Sequence, residues 1–309
     1  MKRKSTLQIW AEYSAVSLIL GFLGILPRKA ALAVSGAVAA LAFYLLGGLR
    51  RTGMRSLAIA YPEKTAGERH ILLRGTFESL GRVLGEVSQF SKYSKEQIAA
   101  LVDFELDDYV APLYERIKRE GRGVLITTGH LGNWELLVQG WAAWHEPMSY
   151  LARPIDNPMI EDLTVAIRTK FGNRPLNKTN SARTAIRLLR EGEIVGVLAD
   201  VNAHPKEGVF VPFFGTPAST NAGPATLAIR TNSLIFPIFC IYDRSTGTYK
   251  IEHGEAIEPS NSGNRDADIL ATTKAFTAEI EKMIRAYPDQ WLWIHKRWKT
   301  RPPGEQSLY

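Results

Sequence analysis

The stretch GVLITTGHLGNWELLVQGW, from Gly123 to Trp141, decides how this chain is read. Val124 to Thr128 (VLITT) is a short β-branched run, the pattern of a buried strand. Asn133 is a good N-cap, and Trp134, Leu137, Val138 and Trp141 then recur at helical spacing. Between strand and helix stand His130 and Glu135. On one helix they would be separated by about 140° and unable to meet. With Gly129 and Gly132 bending the chain, His130 sits in the turn and Glu135 rises from the first helical turn, so a hydrogen bond from carboxylate to ring nitrogen becomes feasible. The other ring nitrogen is then free to take a proton, which is the base-plus-orienter arrangement of acyl-transfer sites. The competing reading is that both residues merely satisfy a helix N-terminus, where acidic side chains are favoured anyway.

Composition narrows the choice. The chain has 309 residues, 45% of them hydrophobic, enough for one large α/β domain or two small ones. Lys and Arg exceed Asp and Glu by 38 to 31, a net charge of +7. That balance suits nucleic acid, an anionic membrane or an acidic protein partner. No zinc spacing or RNA-binding aromatic motif accompanies it, so nucleic acid is the weakest of the three. The single cysteine, Cys240, lies in an apolar run and reads as a small buried hydrophobe.

The N-terminus differs from the rest. Lys2, Arg3 and Lys4 precede an apolar run broken only by Glu12, and a second run from Ala30 to Leu49 lies between Arg28-Lys29 and Arg50-Arg51. Each is about the length that crosses a bilayer. A cleavable signal peptide is the alternative, set aside because a second apolar run follows the first. Residues 1–51 are therefore expected to anchor the protein in a membrane. The second run, rich in alanine and glycine, either crosses or lies against the body. Residues 52–309 are expected to form the domain that faces the cytoplasm.

In that domain helix and strand patterns alternate. Helices are expected over 68–90, 108–119, 157–171, 181–191, 223–230 and 266–286. Strands are expected at VLITT, MSYLA and EIVGVLAD, with LIFPIFCIY and YKIEHGE as neighbours joined around Thr246-Gly247. Such alternation predicts an α/β fold with a central mixed sheet covered by helices. There is no G-x-x-x-x-G-K-[ST], G-x-G-x-x-G or G-x-S-x-G, and His70, His130, His145, His204, His253 and His295 never fall at H-x-x-x-H. Phosphate-loop, dinucleotide and serine-elbow readings lack their cradles, no local zinc pair exists, and neither cofactor nor metal is expected. A base without a protein nucleophile points to direct attack by the substrate's own hydroxyl.

GHLGNWE resembles the H-x4-[DE] motif of glycerolipid-type acyltransferases. More specifically, the chain resembles the lipid A late acyltransferase family. The likeness includes the N-terminal membrane helix, RSLAIAYPE (Arg55–Glu63), LARPIDNP (Leu151–Pro158), LAD (198–200), GVFVPFFGTPAST (Gly208–Thr220) and YPDQWLWIHKRWKTRP (Tyr287–Pro302). Two positions depart from the family pattern: Ser56 stands for asparagine and Val201 for the glutamine after Asp200.

The resemblance implies an enzyme of the bacterial inner membrane, its catalytic domain on the cytoplasmic face. It would move a fatty acyl chain from acyl carrier protein to a hydroxyl of a lipid A precursor or similar phosphorylated glycolipid. His130 would be the base and Glu135 the stabiliser of its imidazolium, with backbone amides of the turn as oxyanion donors. Arg153 would hold an acceptor phosphate, and Arg183 and Asp200 would support acceptor binding. Asp200 equally suits a turn cap, and Arg153 a solvated surface. Phe210, Phe213 and Phe214 lie in a run that reads either as core strand and turn or as an acyl-chain wall. Trp291, Trp293 and Trp298 with Lys296, Arg297, Lys299 and Arg301 form an aromatic-basic cluster suited to anionic membrane lipid. The alternatives are acylation of another lipid (a lysophospholipid, phosphoinositide mannoside or aminolipid) and a catalytically silent membrane-associated binding protein.

Overall fold

The computed structural model describes residues 4–104, 109–176 and 181–309. Thus Lys2 and Arg3 of the basic N-terminus, and Asp108 at the start of one expected helix, lie outside the described residues.

In chain order the elements are α1 (Thr6–Ile25), α2 (Arg28–Leu45), α3 (Gly47–Ala60), α4 (Ala66–Val87), α5 (Lys95–Ala99), β1 (Val102–Asp103), α6 (Val110–Glu120), β2 (Val124–Thr128), α7 (Trp134–Trp144) and β3 (Ser149–Leu151). There follow α8 (Pro158–Arg168), β4 (Arg174–Leu176), α9 (Ser181–Arg190), β5 (Ile194–Leu198), β6 (Gly208–Phe213), β7 (Thr216–Asn221), α10 (Gly223–Thr231), β8 (Leu234–Asp243), β9 (Thr248–His253) and α11 (Arg265–Ala286).

Seven strands form one mixed sheet in the order β1-β9-β8-β2-β5-β3-β4, antiparallel only between β8 and β9. β2 is buried at every position, which is why its sequence is a continuous run rather than an alternation. The pairing of β2 with β5 fixes the site: Val124 faces Ile194 and Thr128 faces Leu198, so residues 70 apart in sequence lie side by side. From β2 the chain crosses to β3, beyond β5; after β5 it runs to β8, on the other side of β2. Connections leaving neighbouring parallel strands in opposite directions open a crevice at their carboxyl ends, the usual ligand position in such sheets.

The run expected to be either core or acyl wall is a separate hairpin of β6 and β7, with a two-residue turn at Phe214 and Gly215. Both turn residues have positive φ, 50° and 73°, the form whose twist matches paired strands. For Phe214 that backbone is unfavourable, and tertiary contacts hold it. Its N–H donates to Glu281 at 2.6 Å, and Arg285 lies 4.3 Å from its ring centroid.

α1 and α2 are both long and apolar enough to cross a membrane. α1 exposes Leu7, Trp10, Leu18, Ile19, Phe22 and Ile25, whereas α2 packs along α4. The contact is built mainly from small residues: Ser35, Gly36 and Ala39 of α2 against Gly81 and Gly85 of α4. Arg28 closes one end on the fully buried Glu86, with an N–O separation of 2.5 Å. The buried Asn157 ties α1 down, donating to the Ile9 carbonyl at 2.9 Å and to Glu12 at 3.0 Å while its own carbonyl oxygen caps α8.

A Cβ on Gly85 would stand 2.6 Å from Ser35 Oγ and 2.9 Å from Leu32 Cδ2. Gly85→Leu is therefore expected to cost about 1–3 kcal/mol by overpacking. Thermal unfolding of full-length protein in detergent should register a lower midpoint, and an unchanged midpoint would refute this packing.

Candidate active site

His130 lies two residues beyond β2 and Asp200 two residues beyond β5, so the strand register carries straight into the loops and sets them opposite one another. His130 Nδ1 and Asp200 Oδ1 are 2.9 Å apart. Asp200 Oδ2 accepts the His130 backbone N–H at 2.7 Å and the Trp291 indole N–H at 2.8 Å. The carboxylate that orients the imidazole is thus Asp200, not Glu135 as the local sequence had suggested. Asp200 is neither an exposed acceptor contact nor a simple turn cap.

Glu135 has a different partner. It receives both Nε and Nη2 of Arg168, the last residue of α8, with Nε at 2.7 Å. This fork-to-fork contact fixes both groups in one plane. Gln139, one turn farther along α7, donates to the carbonyls of Ile167 and Arg168 and secures the end of α8. Arg168 went unnoticed in sequence because the pair joins residues 33 apart through a helix end that no local motif marks.

Two glycines make the turn possible. A Cβ on Gly132, whose φ is +63°, would sit 2.1 Å from the Cys240 carbonyl oxygen. A Cβ on Gly129 would stand 3.1 Å from Asp200 Oδ2 and press on the carboxylate. The amides expected as oxyanion donors are partly committed elsewhere. His130 N–H goes to Asp200, Gly132 N–H to the Gln290 carbonyl and Asn133 N–H to the Cys240 carbonyl.

The electrostatics follow from burial and contact. Burial opposes the charging of His130, but the charge and hydrogen bond of Asp200, with the charge of Glu135 behind them, prevail and raise its pKa above 6.5. Burial alone would push the Asp200 pKa up. Its contacts with His130 and Trp291 instead bring it down to about 2, so it is ionised near neutrality. An ionised carboxylate only accepts, so Nδ1 of His130 carries the proton and Nε2 presents its lone pair. The neighbouring His295 stays neutral. Burial lowers its pKa to about 4, and its Nε2 accepts the Asn202 N–H at 3.0 Å.

Two cavities open beside the loops that carry the pair, lined by its neighbours Thr128, Trp134 and Val201 rather than by His130 or Asp200 themselves. Trp134, Glu135, Tyr150, Met148, Gly196 and Arg168 line a narrow, mostly apolar pocket between α7 and the sheet. On the other side a cleft of about 1030 Å³ opens among Val201, Asn202, Arg153, Arg230, Lys299 and Thr300. Arg153 is exposed in this cleft, and among the described residues its ion-pair contact is a long 3.9 Å approach to Asp156. Arg183 is exposed on α9 and does not line it. Nor do Phe210, Phe213 or Phe214 line the narrow pocket. Phe213 and Phe214 are buried against Trp291, Trp293, Trp298 and Tyr61, and Phe210 is half-buried on β6. All three C-terminal tryptophans are core residues, and so is Arg297, which donates to the Ser219 carbonyl and to Thr220. The tryptophans and Arg297 of the aromatic-basic cluster are therefore core rather than surface, while Lys296 and Lys299 are exposed; Trp291 backs the site through its bond to Asp200.

A mixed sheet covered by helices, carrying a carboxylate-oriented histidine beside a small apolar pocket and a larger cationic cleft, suits acyl transfer. The comparisons with known proteins name it more closely. The model of the family described as bacterial lipid A biosynthesis acyltransferase matches residues 1–300, and the chain belongs to that family. Similar proteins include a lipid A biosynthesis acyltransferase of Haemophilus influenzae, 25% identical over 84% of this chain and 78% of the relative. A lauroyltransferase of lipid A biosynthesis from Escherichia coli is 27% identical over 82% and 80%, respectively. A palmitoleoyltransferase from the same organism is 28% identical over 82% and 80%. The protein is an acyltransferase.

Asp200→Asn removes the charge that holds the His130 pKa up, leaving burial to lower it. Since the base works unprotonated, the acidic limb of kcat/KM should move to lower pH, while the plateau falls by about 10³-fold or more from the lost orientation. A wild-type plateau with an unmoved limb would refute the pairing.

Proposed function

We propose that the protein transfers a fatty acyl chain from an acyl carrier protein thioester to a hydroxyl of a lipid A precursor, or of a similar phosphorylated glycolipid. It would do so at the cytoplasmic face of a bacterial inner membrane, held there by residues 1–51, with residues 52–309 as the catalytic domain. The observation that carries this reading is the imidazole of His130, oriented by Asp200 with Nε2 left to take a proton, on a loop whose neighbours line an apolar pocket and a cationic cleft.

In the proposed reaction the acceptor hydroxyl lies in the cleft and gives its proton to His130 Nε2 as its oxygen attacks the thioester carbonyl. Asp200 stabilises the resulting imidazolium. The tetrahedral intermediate collapses with cleavage of the C–S bond, and the thiolate departs with the proton from Nε2. Glu135 acts as a positioning residue: it fixes Arg168 at the mouth of the acyl pocket and adds negative potential at His130. Arg153, with Arg230 and Lys299, suits an acceptor phosphate. Two observations support the membrane reading: the exposed apolar face of α1, and an α2 of spanning length.

The test is transfer of labelled acyl groups from acyl carrier protein to a lipid A precursor by purified protein. His130→Ala should abolish product while expression and membrane fractionation are retained; near-wild-type turnover would sink the mechanism. Full-length protein should also resist extraction by carbonate, and release would overturn the membrane-spanning reading.

Gly196 lines the apolar pocket, and a Cβ there would stand 3.2 Å from Met148 Sδ. Gly196→Val should therefore shorten the acyl chain preferred in competition between carrier proteins loaded with different lengths, because methionine yields only part of the space. An unchanged preference would move the chain to another cavity.

A further inference from the structure

We propose that a hollow between α3 and the start of α4 binds the phosphate of an anionic membrane lipid, a second lipid site apart from the His130 chemistry. Arg50, Arg51 and Arg55 of α3 converge there with Arg69 and His70 of α4 around a space of about 380 Å³. Four guanidiniums share this hollow, and among the described residues none of them has a carboxylate partner within ion-pair distance, whereas Arg28, Arg122, Arg168 and Arg244 each have one. The bonds they make are to neutral carbonyls. Arg50 donates to those of Phe43 and Tyr44 at the end of α2, and Arg55 to that of Leu308 at 2.7 Å. Glu68, the nearest acid along α4, is spent on the N-cap of its own helix through Thr65.

Like charges gathered with only Glu68 to offset part of Arg69's charge repel one another, and an anion seated among them relieves that repulsion. A guanidinium presents several donors in a planar fork that matches phosphate oxygens, and these four retain unused donors. The surroundings identify the source of the phosphate. The hollow adjoins the end of α2, where Leu41, Tyr44, Leu45, Leu46 and Leu49 are exposed, and Ile71, next to His70, is 70% exposed. Apolar side chains turned outward beside cations match the boundary between acyl chains and headgroups. A water-borne acidic protein would have to cover those side chains with charged surface. The site rests on the reading of α2 as lying in or on the bilayer.

The test uses full-length protein in uncharged detergent and counts bound lipid by native mass spectrometry, which needs neither acyl transfer nor membrane insertion. Carbonate extraction checks the membrane reading separately. Dioctanoyl phosphatidic acid should bind at least about tenfold more tightly than dioctanoyl phosphatidylcholine or inorganic phosphate. The preference over phosphatidylcholine should disappear in Arg51→Gln/Arg69→Gln and survive in part in Arg51→Lys/Arg69→Lys, which keeps charge without the fork. Unchanged unfolding midpoints without lipid establish that both variants fold. Equal binding of the two lipids, persistence of the preference in the glutamine variant, or phosphate binding as tightly as phosphatidic acid would each overturn the proposal. So would loss of acyl carrier protein binding in the glutamine variant with lipid preference intact.

Discussion

Everything at the site depends on one buried carboxylate. Asp200 collects three donors, the ring and backbone N–H of His130 and the indole of Trp291, and so joins the loops after two neighbouring strands to the C-terminal segment. An ionised group buried without such donors would be costly. With them it stays charged, holds the imidazole in one tautomer and raises the basicity of the nitrogen left free. The same three bonds are structural and chemical, so the site and the fold around it stand or fall together.

This constraint accounts for much of the nearby sequence. Gly129 keeps space beside the carboxylate, and Gly132 lets the turn approach the Cys240 carbonyl. Trp291 must reach Asp200 from a segment almost a hundred residues farther along, and the packed rings of Phe213, Phe214, Trp293 and Trp298 hold that segment in place. The C-terminal cluster, so suggestive of a membrane interface, is largely a wall of the active centre. Unpaired basic charge gathers instead on α3 and α4, beside the apolar N-terminal helices.

Those helices are not independent appendages. Small residues let α2 lie directly on α4, the buried pair of Arg28 and Glu86 fixes its start, and Asn157 holds α1 to the loop that begins α8. Since α8 ends at Arg168 and Arg168 holds Glu135, α1 and the apolar pocket beside Glu135 share one helix.

The sequence by itself determined the strand-turn-helix at Val124–Trp144, the N-cap at Asn133, the α10 helix, the β8–β9 hairpin and the place of His130 at a strand end. These are legible because their causes are local: β-branched runs, helical periodicity, turn glycines and capping side chains. Only the tertiary structure decided which carboxylate serves His130. The nearby Glu135 satisfied the local geometry, but pairing of β2 with β5 brings Asp200 to the ring from 70 residues away, and Arg168 claims Glu135 from the end of α8. The same holds for Phe213 and the C-terminal tryptophans. Composition makes them equally fit for core, acyl wall or membrane surface, and what packs against them settles the matter, because burial depends on neighbours that are distant along the chain.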